Sequence, residues 1–127
     1  MQPTFEKLAP EQGHSFRCID RSTLETPVRW HRHPEVELTY VAHGSGSRLV
    51  GDHIGAYSHH DLVLLGSNLP HTWNSDEYRG QRYDLHPAVV IQFHPEFLGP
   101  QIFNTTEVRS LRELQQAAAR GLWNAPD

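Results

Sequence analysis

The sequence contains one cysteine and one lysine and no long hydrophobic run, and each of these shortages excludes a class of protein. Cys18 has no partner for an internal disulfide, which is compatible with a reducing cytoplasm, and we expect it to be a small buried residue. No apolar run reaches the length of a membrane-spanning helix, and the polar segment Met1–Lys7 is not a signal peptide. The sequence therefore predicts a cytoplasmic protein without a membrane segment.

Basic residues are also too few for a nucleic-acid-binding surface. Eleven Lys and Arg residues stand against 15 acidic residues, which gives a formal net charge of −4. Binding to phosphates needs clustered Lys and Arg, but the arginines here are scattered among acidic side chains. We therefore expect that this chain alone does not bind DNA.

The 127 residues allow one domain with one core, and nine Gly and nine Pro indicate many turns between short elements. Apolar and polar residues alternate with period two in several short segments. A sequence of short strands with regular turns is typical of an all-β sandwich or barrel. Strands are predicted near Ser15–Ile19 and in the segments Val36–Val41, Arg48–Ile54, Asp61–Leu65, His71–Trp73 and Ala88–Phe93.

The pattern changes to helical spacing near the C-terminus. Asn104 and Glu107 have the positions of a capping box, and Gly121 has the position of a C-terminal stop. We therefore divide the chain into an N-terminal arm (1–25), a β-barrel (26–103, with β structure from Thr26) and a C-terminal helix and linker (104–122). The apolar face of the helix is formed by Val108, Leu111, Leu114 and Ala118.

Four side chains form a candidate metal site. His31 and His33 are two residues apart, so in a strand they point to the same face, and Glu37 shares their parity if Pro34 bends the strand only mildly. His71 follows a turn at the start of another strand and can supply a fourth ligand across a closed barrel. Imidazole and carboxylate ligands suit divalent zinc, nickel, iron or manganese. The alternative is that the same polar groups contact an organic ligand.

Other residues lie close to these four in the sequence. Glu35 has the parity to replace Glu37, although spacing favours Glu37. Trp30 and Trp73, near His31 and His71 in sequence, and Tyr40 are expected to face away from the metal. Three residues are better candidates for lining a cavity and binding a ligand, and Gln92 among them needs a polar partner if it is buried. These residues are Thr39, Val41 and Gln92.

The spacing of these residues resembles the first motif of the cupin superfamily, matched by His31, His33, Glu37 and Gly44. The second motif is partly present in Gly55, Asp61, Pro70 and His71. Two residues depart from it, His60 and Asn68, where glycine is usual, and asparagine tolerates a left-handed backbone well. The resemblance implies a double-stranded β-helix, or jelly-roll, barrel that holds one divalent metal ion.

More narrowly, the segments Trp30–Tyr40 and Asp61–Trp73 resemble the effector-binding domain of AraC-type transcription regulators. The resemblance covers Thr26–Leu122. It implies a domain that binds a small-molecule effector and forms a homodimer, and that contacts DNA only through a separate helix-turn-helix domain absent from this chain. Because the chain stops at Asp127, just past the helix, we expect part of a longer regulator rather than a solitary cupin.

Two other functions stay open. Cupins with this ligand set include metal-dependent dioxygenases and isomerases, but the sequence offers no convincing acid–base pair beyond the ligands, so no catalytic residue is predicted. The barrel can also be only a dimerisation unit, using the apolar face of the C-terminal helix.

Overall fold

The computed structural model describes residues 2–5, 15–20, 30–42, 44–75, 88–97, 99, 101 and 105–124. Within this part of the chain most of the regular structure is β. The strands are β1 (Thr4–Phe5), β2 (Phe16–Asp20), β3 (His31–Arg32), β4 (Val36–Val41), β5 (Gly46–Val50), β6 (His53–Tyr57), β7 (Asp61–Leu65), β8 (His71–Ser75), β9 (Ala88–Phe93) and β10 (Leu122–Trp123).

The strands form two five-stranded sheets, in the orders β1-β3-β8-β5-β6 and β10-β7-β4-β9-β2. All neighbouring pairs are antiparallel except β1 with β3. No strand described belongs to both sheets, so hydrogen bonding does not close them into a barrel. The predicted all-β class is confirmed.

The core lies between the sheets, because alternate residues of each strand point inward. In β4, Glu37, Thr39 and Val41 are buried between the outward Leu38 and Tyr40, which are only half-buried. Each fully buried aliphatic side chain of such a core contributes about 1.5–3 kcal/mol. The apolar cluster takes residues from both sheets: Val41, Val50, Tyr57, Val63, Leu65, Trp73 and Ala88.

Three tight turns carry a left-handed backbone. Gly51, at φ +59°, closes the hairpin between β5 and β6, where a left-handed backbone favours glycine. Asn68, at φ +60°, and His60, at φ +65°, adopt the same conformation where the resemblance expects glycine. The prediction that Asn68 accepts a left-handed backbone is therefore confirmed, and the same turn is built at His60 with a bulkier side chain.

The C-terminal region is only partly as predicted. Helix α1 (Arg109–Ala117) lies between 3₁₀ turns at Thr106–Val108 and Ala118–Arg120, and Gly121 at φ +87° ends it. The helix does not extend to residue 122, because β10 follows at once and pairs with β7. The capping box depends on Asn104, which lies outside the described residues, as does Thr26, the predicted start of the β structure.

The end of this helical region is fixed to the sheet by a glycine. The N–H of Gly66, at the end of β7, donates a hydrogen bond of 2.8 Å to the carbonyl of Ala118. A Cβ atom on Gly66 would lie 2.7 Å from that same oxygen, so no side chain fits at this position. The close approach holds β10 and the preceding turn against β7.

The N-terminal region contributes one strand to each sheet. The strand predicted near Ser15–Ile19 is confirmed as β2, whereas β1, which pairs in parallel with β3, was not predicted. The prediction that Cys18 is buried is wrong, because β2 is an edge strand and its Cys18 is exposed. Among the described residues, no helix has the length and apolarity to cross a membrane.

Candidate metal centre

Three histidines meet at one end of the interior. His31 in β3 is paired with His71 in β8, and their ring centroids lie 4.3 Å apart. His33, just beyond β3, brings its ring to 5.0 Å from that of His71. One ligand nitrogen from each ring lies within 4.8 Å of the other two, so the three histidines can together hold a metal ion.

The chain reaches this arrangement differently from the prediction. Residues 34 and 35 form a bend that carries the chain from β3 in one sheet to β4 in the other. Glu37 therefore faces the histidines from the opposite sheet, and does not share one strand face with them. His71, which was expected to approach across the interior, is instead the cross-strand neighbour of His31.

The orientation of two of the rings is fixed by backbone carbonyls. Nδ1 of His33 lies 3.1 Å from the carbonyl oxygen of Glu35, and Nδ1 of His71 lies 2.7 Å from that of Leu69. A carbonyl oxygen only accepts, so each Nδ1 carries the proton and donates it. In the neutral rings, Nε2 is then a bare acceptor that points into the cluster. Metal-binding histidines are held in this way by their second nitrogen.

Glu37 is the most strongly contacted side chain at the site. It is 4% exposed, and its Oε1 lies 3.0 Å from Nε2 of His33. Its Oε2 lies 3.6 Å from Nε2 of His71, which is too long for a hydrogen bond. Thr39 donates its hydroxyl to Oε2 at 2.7 Å, and Gln92 donates Nε2 to Oε1 at 2.9 Å. The partner that buried Gln92 was predicted to need is therefore Glu37.

The contacts around Glu37 shift its pKa and that of His33 in opposite directions. Burial raises the pKa of Glu37, but the contacts with His33, His71 and Gln92 outweigh it and hold that pKa well below its usual range. Burial lowers the pKa of His33, but the hydrogen bond and charge of Glu37 outweigh it and leave that pKa raised. Both shifts of pKa therefore favour an ion pair between His33 and Glu37, whose Nε2 and Oε1 lie 3.0 Å apart.

His71 shows that protein groups do not complete the cluster. Its side chain is 1% exposed, yet its Nε2 has no hydrogen-bond partner among the described residues. A buried nitrogen without a partner costs about 1–3 kcal/mol. A bound cation would remove this cost, since it accepts the lone pairs of all the imidazoles at once. The donor set therefore fits a divalent transition metal.

The other predicted residues are placed as follows. Thr39 and Gln92 contact Glu37, whereas Val41 lies further along β4 in the apolar core. The carboxylate of Glu35 lies 3.8 Å from Nδ1 of His33, on the side away from the cluster. The prediction for Trp73 is wrong: it is two residues after His71, shares its inward face and is 6% exposed.

A second buried polar cluster was not predicted. Arg48 in β5 and Asp61 in β7 join the two sheets, with Nε to Oδ2 at 3.1 Å and Nη2 to Oδ1 at 3.2 Å. Burial raises the pKa of Asp61 above its ordinary value, although the charge of Arg48 acts to lower it. The sequence signal was present, because Arg48 and Asp61 have the inward parity of their strands. A cavity of about 310 Å³ opens beside this pair.

A scan of the sequence against protein-family models and a search of curated proteins both found no match.

Proposed function

We propose that this chain binds one divalent metal ion through His31, His33, His71 and Glu37. The metal is zinc, nickel, iron or manganese, since imidazole nitrogens with one carboxylate suit all four. We further propose that the metal centre belongs to the small-molecule-sensing cupin domain of an AraC-type transcription regulator. The observation that carries the metal proposal is the buried Nε2 of His71, which lacks a partner while its Nδ1 is anchored to a carbonyl.

The strand order supports the cupin assignment. Eight of the strands are arranged as β3-β8-β5-β6 and β7-β4-β9-β2, and both sets are antiparallel. This is the order of a jelly roll, in which each sheet alternates strands from two halves of the chain. In this arrangement the proposed metal ligands lie between the two sheets, on β3, β8, β4 and the segment that follows β3. The AraC-type assignment rests on the sequence resemblance.

The surroundings of the metal ligands favour sensing over catalysis. Among the described residues, the side chains other than histidine that donate hydrogen bonds to Glu37 are Thr39 and Gln92, neither of which exchanges protons at neutral pH. General acid–base chemistry needs a titratable group besides the ligands. The metal in this proposal therefore anchors or orders the site to which the domain responds, and Thr39 and Gln92 orient Glu37.

Metal content tests the proposal directly. We expect the protein, purified without chelator, to hold about one divalent ion per chain by elemental analysis. His33→Ala should lose it, because the variant removes one ligand nitrogen. His94→Ala is the matched control, since His94 is exposed and lies outside the cluster. Substoichiometric metal that is unchanged in His33→Ala would refute the metal centre.

We also propose that the domain is a homodimer that uses the apolar face of α1. Leu114 is 46% exposed and Leu111 half-buried, so the face has apolar area available for a second copy. Light scattering at tens of micromolar should return the dimer mass. Leu114→Glu should shift it to the monomer, and Gln116→Glu on the same helix should not. A monomer mass for the unaltered chain contradicts the proposal.

DNA binding is assigned to a domain outside this chain. A gel-shift assay at low salt should show no tight complex with residues 1–127, because the chain lacks clustered basic residues. Tight, salt-sensitive binding would overturn this assignment. The regulator proposal is checked separately by sequencing the gene beyond the codon for Asp127, where a helix-turn-helix segment is expected.

A further inference from the structure

The cavity beside Arg48 lies at the open edge of the two sheets. Its walls come from β5, β6, the start of β7 and the segment at β10, and its volume is about 310 Å³. None of its lining residues belongs to the metal centre. Ligand cavities in proteins begin at about this size, so the space suits a small molecule.

The guanidinium of Arg48 presents an unused edge to this space. Asp61 occupies the edge formed by Nε and Nη2. The second edge, formed by Nη1 and the remaining hydrogen of Nη2, has no hydrogen bond to any described residue. Arg48 as a whole is 4% exposed, and it is one of the residues that line the cavity. A planar guanidinium with a free edge matches the two oxygens of a carboxylate.

Gly55 lies beside this edge. A Cβ atom built on Gly55 would lie 2.8 Å from Nε2 of His53 and 3.6 Å from Nη1 of Arg48, so a larger side chain would displace the end of His53 and cover Nη1. Trp123 forms the rim: the Arg48 guanidinium lies 5.0 Å from its ring centre, and the His53 ring stacks on it at 4.5 Å. The opening therefore offers both a flat apolar surface and a charged donor.

The charge at the cavity favours an anion. Of the described residues that line the cavity, Asp61 alone is acidic, and it is already paired with Arg48. Three histidines, His53, His59 and His60, stand around the opening. An entering carboxylate thus meets a donor edge and imidazole groups, and no unpaired negative charge.

We propose that this cavity is a second ligand site, separate from the metal centre, that binds a small organic carboxylate. The carboxylate accepts two hydrogen bonds from the free edge of Arg48, and the body of the ligand lies against Trp123. The site does not depend on the metal proposal, because the two clusters share no residue.

Calorimetric titration of the full chain with benzoate tests the site, with benzamide as the uncharged probe of the same shape. We expect saturable binding of one benzoate per chain, tighter than that of benzamide by at least about tenfold, because a charged hydrogen-bonded pair is stronger than a neutral one. The result should be the same for metal-loaded and chelator-treated protein. Equal affinity for both probes, or no binding of benzoate, overturns the proposal.

Variants locate the bound probe. Gly55→Val fills the space in front of Nη1 and displaces only the exposed end of His53, so benzoate binding should weaken roughly 10- to 100-fold while the thermal melt stays cooperative. Ile54→Val, on the exposed face of the same strand, is the control. His33→Ala should keep full benzoate affinity. Loss of binding in His33→Ala with retention in Gly55→Val would place the probe at the metal centre and refute the second site.

Discussion

The interior holds two buried charged clusters, and they differ in what completes them. Arg48 and Asp61 neutralise each other through two close contacts between the sheets. The three histidines and Glu37 instead present more hydrogen-bond acceptors than donors to one another, and Nε2 of His71 has no partner in the described structure. The charges of the first cluster are therefore balanced by its own residues, whereas the second requires a cation or a proton from outside.

Removing one member of the Arg48–Asp61 pair should have the largest effect on stability. Asp61→Ala leaves Arg48 charged and buried without its partner, and we expect the free energy of unfolding to fall by about 3–5 kcal/mol. Urea denaturation followed by circular dichroism measures this change. The double variant Arg48→Met with Asp61→Leu should recover most of the loss. A loss below about 1 kcal/mol in Asp61→Ala would show that the pair is not desolvated.

Substitutions in the cluster of histidines and Glu37 should instead change the affinity for metal. Glu37→Gln keeps the shape of the side chain but removes its charge, so the dissociation constant for zinc should rise by at least about tenfold. A competition titration with a chromophoric chelator measures it. Glu35→Gln is the matched control, because its carboxylate lies on the Nδ1 side of His33. Equal losses of zinc affinity in both variants would mean that Glu37 contributes only its negative charge and does not bind the metal directly.

The stability that the histidine cluster contributes should also depend on pH. The pKa of His33 is raised, so in metal-free protein its stabilisation is complete below about pH 6.5 and is lost as pH rises through the folded pKa. The pKa of Glu37 is lowered, so its stabilisation is present above about pH 4.3 and is lost as pH falls through the folded pKa. Metal-free protein should therefore be less stable at pH values above the folded pKa of His33.

Metal reverses that trend, because it replaces the proton on Nε2 of His33. We expect the increase in melting temperature caused by excess zinc to grow from about pH 5.5 to about pH 8. Thermal melts at constant ionic strength, with and without zinc, measure this increase. His33→Ala should abolish the growth with pH. An increase that is constant across this range would contradict proton–metal competition at the cluster.

The smallest predicted effect concerns the turn that leads to His71. Asn68 has φ +60°, and its N–H donates to the carbonyl of His33 at 2.7 Å. Asn68→Ala should lower the free energy of unfolding by about 1–2 kcal/mol, since alanine resists the left-handed conformation. Asn68→Gly should change it by less than about 0.5 kcal/mol. Comparable losses in both variants would assign the role of Asn68 to its side chain.

The strands in which apolar and polar residues clearly alternate were predicted from the sequence. The bend between β3 and β4 and the two-residue strand β10 were not. Val36–Val41 has period two, so a strand was predicted there and is confirmed. The crossing from one sheet to the other between His33 and Glu37 could not be predicted, because a two-residue bend has no period. β10, with two residues, exists through its pairing with β7 rather than through local preference.

The candidate site shows the same division. The residue types and spacing pointed to His31, His33 and His71, which the structure brings together. Gln92 was predicted to need a polar partner if it is buried. That this partner is Glu37 could not be predicted, since the register between β4 and β9 depends on tertiary packing. The Arg48–Asp61 pair was missed because each residue alone looks like an ordinary polar residue of a strand.

The shortness of β10 has a consequence for rates. A two-residue strand at a sheet edge opens more readily than the core strand to which it is paired, so its amides should exchange with solvent faster than those of β7. Trp123 belongs to this strand and lies at the rim of the cavity beside the guanidinium of Arg48, so each local opening of β10 widens the entrance to that cavity. Local opening then adds a second route of entry to the one that the rim already leaves open.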